Sequence, residues 1–518
     1  MKFKFTFALP VLVVALLLFD SCTYFGFGSN QLVGEKAITP ELIKKHVYYL
    51  ASDALKGRNT PSAELDTAAH YIADEFKACG LQPVNDSYFQ KVNLAIVNLG
   101  PDNHLKITRN GEEKSFRIKE EFTPFEITAN KEVNAQIVFA GYGITAPEYN
   151  YDDYTNIDVN GKIVFVLRHE PGEEDSGSIF NGIKPTDYSN VKEKVRIAKE
   201  HGAIGVLVAT DPLNHTSLTP RGFPWLSLSK NIPEDAIPMN LSFDEDLKIP
   251  VVHVGEEVIN LLFGSVEKLK EIQVELDSML NSKSFEIPDA VVSVKTSTKV
   301  KEMPTQNVVG IIVGTDPVLK DEIIIIGAHY DHVGYKKNQP DTTDIIFNGA
   351  DDNASVTSGV LAIAAGFAAM KQKPKRTVLF LTFAGEEKGL LGSTAYIEKP
   401  LFPLNKTVAM LNLDMIGRNG EDTLYIIGQP QSPDLVNIIV EENKYVGMAL
   451  IFNQEKNIGG SDHVSFSKKK IHSIFYHTGI HADYHRVTDN PEFINFKKAA
   501  KVARLAFRTA WNIANHKK

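Results

Sequence analysis

The sequence predicts an α/β protein: a mostly parallel mixed sheet with helices on both faces, plus a smaller inserted β-rich α/β domain. Three observations lead there. The runs Ile323–Ile326, Thr377–Phe383 and Val408–Leu413 are largely apolar and of strand length, and a run without polar alternation suits a strand buried on both faces. A helical pattern over Ser355–Met370 separates the first two, and strand–helix alternation is the signature of a parallel sheet. The chain has 518 residues, more than one core sustains, so a second domain is expected.

At the start, Lys2 and Lys4 precede an apolar run from Phe5 to Phe19. This is the layout of a secretory signal, and it is shorter than the about 20 apolar residues of a bilayer span. The run closes as Leu18-Phe19-Asp20-Ser21-Cys22, which resembles a bacterial lipobox. Residues 1–22 are therefore read as a lipoprotein-type signal peptide with a lipid anchor at Cys22. The chain is expected to be exported, as a periplasmic or cell-envelope lipoprotein. The competing reading is a plain signal peptide with an incidental cysteine. Residues 23–35 are aperiodic, with Gly, Ser and Asn, and read as a tether.

Residues 36–130 are assigned to the N-terminal part of the main domain. Leu42, Ile43, Val47, Leu50 and Leu55 recur at helical spacing, as do Ala68, Ile72, Phe76 and Cys79 before Gly80. Cys79, on a helical pattern, is expected to pack rather than react. From Leu105 short alternating runs flank Asn110-Gly111, a hairpin signal. In 131–286, Gly161–Leu167 and Ala203–Val208 read as buried strands, joined by a helix over Lys192–His201 that Gly202 stops. The glycine-lysine before the first strand, the lysine-led helix and the Gly202-Ala203 that follows resemble a protease-associated domain. Residues 287–518 carry the remaining strands and helices and are read as the catalytic part.

The net charge of −9 provides no dense basic surface, so no nucleic-acid partner is expected. Cys22 and Cys79 are the two cysteines. A metal site must therefore be built from His, Asp and Glu. The buried runs end in such residues: His329-Tyr330-Asp331-His332 after the first, Glu386-Glu387 after the second, Asp414 after the third. Ligands bind beyond the carboxyl ends of strands in open α/β sheets. Carboxylates gathered there repel one another unless a cation sits among them. Gly349-Ala350-Asp351-Asp352-Asn353-Ala354-Ser355 adds a further carboxylate at the same rim.

Five motifs stand in order: HYDHVG, GADDNAS, AGEEKGLLGS, NLDMIGR and YHRVTDN. Together they resemble the co-catalytic, two-zinc aminopeptidase family of bacterial leucyl aminopeptidase and glutamate carboxypeptidase, over about Asn307 to Asn490. The Ser52–Arg58 run extends the likeness, and members with an inserted protease-associated domain share the layout. The resemblance implies the zinc-aminopeptidase fold and two zinc ions per chain. His329 and Asp414 would hold one ion, Glu387 and His485 the other, and Asp352, rather than Asp351, would bridge them. Asp331 would orient His329. Glu386 would be the general base that takes the proton of the water between the ions and passes it to the leaving amine. Tyr484 would hydrogen-bond the oxyanion. A cis peptide between Asp352 and Asn353 is implied as well. His477 and His481 compete locally with His485, which Tyr484 and Asp489 favour. His332 and His463 are read as supporting or packing residues. The sequence departs from the family at Val356, where a glycine is usual, and in a longer segment over 335–348.

The function so implied is a zinc-dependent aminopeptidase acting on a peptide substrate. The alternatives are a two-zinc carboxypeptidase or other amidohydrolase, a one-zinc cyclase-like transferase, and a non-catalytic binding protein. The first needs a basic pocket, and no arginine cluster stands near the motifs. The last two go with an incomplete ligand set, whereas all five positions are filled.

Overall fold

The structure is a computed structural model that describes residues 33–221, 225, 238–242, 249–279, 283–336, 344–428 and 430–516. The signal segment 1–22, with Cys22, lies outside the described residues, as does the tether up to residue 32. The chain divides into two compact units, Met1–Leu94 with Met303–Lys518, and Ala95–Glu302.

The first unit departs from the sequence reading at the end of the tether. Residues 33–37 are helical, and Glu35 pairs with Arg508 at 2.7 Å, so residues 33–35 belong to the fold. Helix α1 (Pro40–Leu50) starts at Thr39, whose side chain accepts the Leu42 N–H, and buries Ile43, Val47 and Leu50. The apolar spacing runs on to Leu55, but the helix stops at Leu50. The next segment, Asp53–Arg58, is a tight turn with Lys56 and Gly57 in left-handed conformations. Helix α2 (Ala63–Ala78) is capped by Ser62 in the same way as α1 by Thr39.

The sheet of this unit uses β1 (Phe89–Leu99), β2 (Thr298–Ile312), β3 (Ile323–His329), β4 (Thr377–Phe383), β5 (Thr407–Leu413), β6 (Thr423–Ile427), β7 (Ala449–Phe452) and β8 (Ser473–His477), in the spatial order β1-β2-β4-β3-β5-β8-β6-β7. The central four, β4-β3-β5-β8, are mutually parallel. Strand β2 runs antiparallel to β4, and β6 antiparallel to β8. The predicted mostly parallel mixed sheet is thus present. Its two faces are both covered. Ile324, Ile326, Val378 and Phe380 pack with α1, α2, α3 (Val356–Ala368) and α7 (Phe496–Asn515). Their neighbours Ile323, Ile325, Leu379 and Leu381 face the other way, toward Tyr396 of α4 (Leu391–Glu398) and Phe466 of α6 (His463–Ser467). Helix α5 (Pro433–Asn443) adds Leu435, Val436 and Ile439 to the first face. Each such fully buried side chain contributes about 1.5–3 kcal/mol. This two-sided burial explains why the central strands read as unbroken apolar runs.

The second unit has a sheet of eight described strands in the order 112–116, 104–109, 285–296, 131–139, 163–167, 205–209, 251–254, 122–124. The sequence places the insert at 131–286, whereas the compact unit spans Ala95–Glu302. The hairpin around Asn110-Gly111 belongs to it because strand 104–109 pairs with strand 285–296. Alternate residues of Ile163–Leu167 feed two cores. Ile163, Phe165 and Leu167 meet the helices Glu256–Phe263 and Val266–Met279, while Val164 and Val166 meet the helix Val191–Glu200.

Candidate metal centre

Because β3, β4, β5 and β8 run in parallel, their carboxyl ends share one rim of the sheet. His329 is the last residue of β3 and lies level with Phe383, the last of β4. Glu386 and Glu387 follow β4 by three and four residues, Asp414 follows β5 directly, and His485 lies in the loop after β8. The turn that presents both glutamates needs Gly385 in a left-handed conformation at φ 73°, which a side chain would strain.

Two groups of ligand atoms form around Asp352. His329 Nε2 lies 3.3 Å from Asp352 Oδ1 and 3.5 Å from Asp414 Oδ2. His485 Nε2 lies 3.1 Å from both Asp352 Oδ2 and Glu387 Oε2. The structure thus brings together all five ligand positions read from the sequence, with Asp352 between the two pairs. Within each group the ligand atoms lie within 4.8 Å of one another, and His332 stands with the second. His332 Nδ1 donates to Glu387 Oε1 at 2.8 Å. The Asp352–Asn353 peptide is cis.

The donor set fits a cation. His485 Nε2, Asp352 Oδ2 and Asp414 Oδ1 are buried without a hydrogen-bond partner, although the first two are 3.1 Å apart. Atoms this close that close no hydrogen bond are arranged as ligands around a shared point, and unpaired buried polar atoms are otherwise costly. His329 Nδ1 donates to the Asp331 carbonyl at 3.2 Å, which leaves Nε2 as a lone-pair donor. Imidazole nitrogen and carboxylate oxygen are borderline-to-hard ligands of the kind zinc takes.

The electrostatics are those of packed opposite charges. Burial opposes ionisation of Asp352, but His332, His329 and His485 outweigh it and hold its carboxyl well below the usual range. Burial disfavours the His485 cation, yet Asp352 and Glu387 carry it up to about 10. Glu386 differs from its neighbour. Burial pushes its carboxyl well above the ordinary value, and Asp414, Asp462 and Glu387 add to this against His329. Its backbone N–H donates to Asp331 Oδ1 at 3.2 Å, and its carboxylate stays 4.0 Å from His329 Nε2. Tyr484 lines the same cleft, its ring stacked on His485 at 3.9 Å. Burial and the surrounding carboxylates raise its hydroxyl far above the ordinary value, so it remains a proton donor.

Asp351 and Asp352 point to different places. Asp351 accepts the Gly417 N–H at 2.6 Å and faces His481 Nε2 at 3.4 Å. The Asp489 carboxylate accepts the N–H groups of both aspartates. His477 Nδ1 accepts from Gly479 N. The competing histidines are therefore engaged elsewhere, and His485 is the one that reaches the glutamate. His463 stacks on Phe475 at 4.6 Å. Val356 opens α3 without displacing any ligand. Of the segment 335–348, residues 337–343 lie outside the described residues. Lys336 rests 5.4 Å over the Phe347 ring.

Two supports escaped the sequence reading. Arg58 is buried and donates to the carbonyls of Leu50, Tyr330, Asn348 and Gly349, the last two being the approach to Asp352. Burial lowers its pKa to about 10, with Asp352, Asp331, Asp489 and Glu387 opposing. Thr60 donates to Asp331 Oδ2 at 2.8 Å and accepts the Gly385 N–H at 3.1 Å. The only signal of Arg58 in the sequence was its place at the end of the Ser52–Arg58 run.

Residues 307–510, which hold all five ligand positions, match Peptidase family M28. This segment is therefore similar to the M28 peptidases. Residues 132–262 match the PA domain and fall within the compact unit Ala95–Glu302. Part of the chain is 28% identical over 209 residues to a protein of Trichophyton verrucosum named "Probable leucine aminopeptidase", covering 38% of this chain and 56% of that one. It is 25% identical over 397 residues to "Aminopeptidase YwaD" of Bacillus subtilis, covering 73% and 68%. Among solved structures, the aminopeptidase from Aneurinibacillus sp. strain AM-1 aligns over 94% of this chain and 97% of its own at 21% identity and a TM-score of 0.46. The chain spans about half the length of the first curated relatives it matches.

Proposed function

We propose that the protein is a zinc-dependent aminopeptidase that holds two zinc ions and removes the first residue of peptides. The observation that carries this is Asp352 flanked by His329 and Asp414 on one side and by His485 and Glu387 on the other. The names of the M28 relatives support it. Zinc held there would polarise the scissile carbonyl and make water a nucleophile near neutral pH. The chain's own residues do the rest. Glu386 accepts the proton of the attacking water and returns it to the leaving amine. Tyr484 donates its hydroxyl to the developing oxyanion. Asp331, Thr60 and Arg58 hold His329, the glutamate turn and the Asp352 loop in place.

The cleft lining favours an amino end over a carboxyl end. Its described residues include His329, Glu386 and Asp414 but no lysine or arginine, and a substrate carboxylate requires a cationic partner. Met415, Ile458, Phe475 and Ile480 form an apolar wall, which suits an apolar first side chain. Matched leucyl and glutamyl peptides, with free and with acetylated amino ends, test this with and without chelator. Chelator-sensitive cleavage of the free leucyl peptide alone is expected; equal cleavage of the acetylated peptide would overturn the aminopeptidase reading.

Export and a lipid anchor at Cys22 complete the proposal, on the strength of Lys2, Lys4, the Phe5–Phe19 run and Ser21-Cys22. Cells fed labelled palmitate should label the wild-type chain and not Cys22→Ala. Equal labelling of both would rule the anchor out.

A further inference from the structure

A second cluster of ligand-bearing side chains lies in the unit Ala95–Glu302, built by a rule the sheet makes plain. Strands Ile163–Leu167 and Gly205–Ala209 are parallel neighbours, with Leu167 level with Ala209. His169 and Asp211 each stand two residues beyond those ends, and the Arg168 N–H donating to the Ala209 carbonyl at 2.8 Å keeps the pair aligned. Four residues further along each loop comes a second ligand type, Glu173 after His169 and His215 after Asp211. Two adjacent strand ends thus each supply one imidazole and one carboxylate, at the rim where α/β sheets place ligands.

The four side chains converge. His169 Nδ1 lies 2.6 Å from Asp211 Oδ1 and 3.3 Å from Glu173 Oε2. His215 Nε2 lies 2.7 Å from Glu173 Oε1 and 3.5 Å from Asp211 Oδ2. One ligand atom from each lies within 4.8 Å of every other. Asp211 is 1% exposed, and its Oδ2 is buried with no hydrogen-bond partner while facing this group. The loop that carries Asp211 and His215 is anchored from outside the cluster. Gln273, on the helix Val266–Met279, accepts the Leu213 N–H at 2.8 Å and donates to Asn214 Oδ1 at 2.7 Å. That scaffold leaves the four side chains to one another: His169 Nδ1 pairs with Asp211 Oδ1 and His215 Nε2 with Glu173 Oε1, while Asp211 Oδ2 keeps no hydrogen-bond partner.

We propose that His169, Glu173, Asp211 and His215 bind one divalent cation of the zinc type, separate from the M28 centre. Two nitrogens and two oxygens complete a tetrahedral shell with ligand atoms on the order of 3.5 Å apart. A shell closed by four protein ligands leaves no position for substrate, so this ion is structural. It ties the loop after one strand to the loop after the next.

The test measures metal in the full chain with the M28 centre disabled by Asp352→Ala. After loading with Zn²⁺ or Co²⁺ alone and removal of free metal, this variant should retain one equivalent, and the cobalt form should show the intense visible bands of a tetrahedral site. Adding His215→Ala should remove both the equivalent and the bands. His215 is 38% exposed, so its truncation leaves no buried hole. As a check that does not depend on the Asp352 variant folding, His215→Ala and His169→Ala in the otherwise native chain should each lower the metal count by one. A native chain whose count is unmoved by either histidine substitution overturns the proposal and leaves an ion-paired histidine–carboxylate network. A failure of the M28 reading would look different: Asp352→Ala would not lower the count, while His215→Ala still would.

Discussion

At the residue scale the site turns on two adjacent glutamates with separate surroundings. Glu387 is shared between His332 and His485, whereas Glu386 faces the cleft with its N–H tied to Asp331. Glu386→Gln is therefore expected to keep the metal content and lower kcat by about 10²–10⁴-fold, the range of a lost general acid–base. Metal analysis beside steady-state kinetics checks this, and near-native turnover would refute the division of labour. Asp352→Ala removes the ligand common to both groups and should cost metal and activity together. The ligand types were legible in the sequence because each ends an apolar run or stands in a motif. The choice between Asp351 and Asp352 rested on resemblance. The structure gives it a physical basis, since the Gly417 N–H holds Asp351 Oδ1 away from the ligand groups while Asp352 lies between His329 and His485. Arg58 was not legible in the same way. Its four carbonyl partners come from three separate stretches of chain, and no local pattern announces them.

At the element scale, strands were easier to read than the ends of helices. The central strands are buried on both faces, so composition alone marks them. Helix α1 shows the opposite case. Leu55 keeps the helical spacing, but Lys56 and Gly57 turn left-handed to send Arg58 inward. The apolar spacing therefore runs on past the end of the helix at Leu50, and a periodicity count does not register the stop. Arg58→Met keeps much of the volume and removes every donor. Leaving several carbonyls without partners should cost about 3 kcal/mol or more, seen as a lower Tm, together with weaker metal retention because Asn348 and Gly349 lead to Asp352. Unchanged stability would mean that those carbonyls find other partners. The hairpin at Asn110-Gly111 was read correctly from its turn residues, both of which have positive φ. Its membership of the second unit depends on pairing with strand 285–296, a contact between distant segments.

At the scale of the whole molecule, acid sensitivity follows from buried neutral histidine. His46 is 2% exposed and lies 2.8 Å from the Tyr71 hydroxyl. Burial lowers its pKa from 6.5 to about 4, with Lys45 adding to this and Glu75 opposing. Between those values the unfolded chain binds a proton that the folded chain refuses. Stability is therefore complete above about pH 6.5 and falls as pH drops to about 4, by on the order of 3 kcal/mol from this group. His46→Gln should flatten the loss of Tm across that window relative to wild type; an identical slope would remove His46 as its cause. The parallel alignment of β4, β3, β5 and β8 carries a further consequence for how the chain matures. Each strand delivers its ligand by counting residues from a shared baseline, and a slip of one residue shifts a strand by about 3.3 Å and turns its side chains over. A misaligned sheet could keep much of its apolar burial and still lose the meeting of His329, Asp352, Asp414 and Glu387. If the centre holds metal as proposed, recovery of bound metal during refolding is expected to report correct strand alignment more faithfully than recovery of secondary structure.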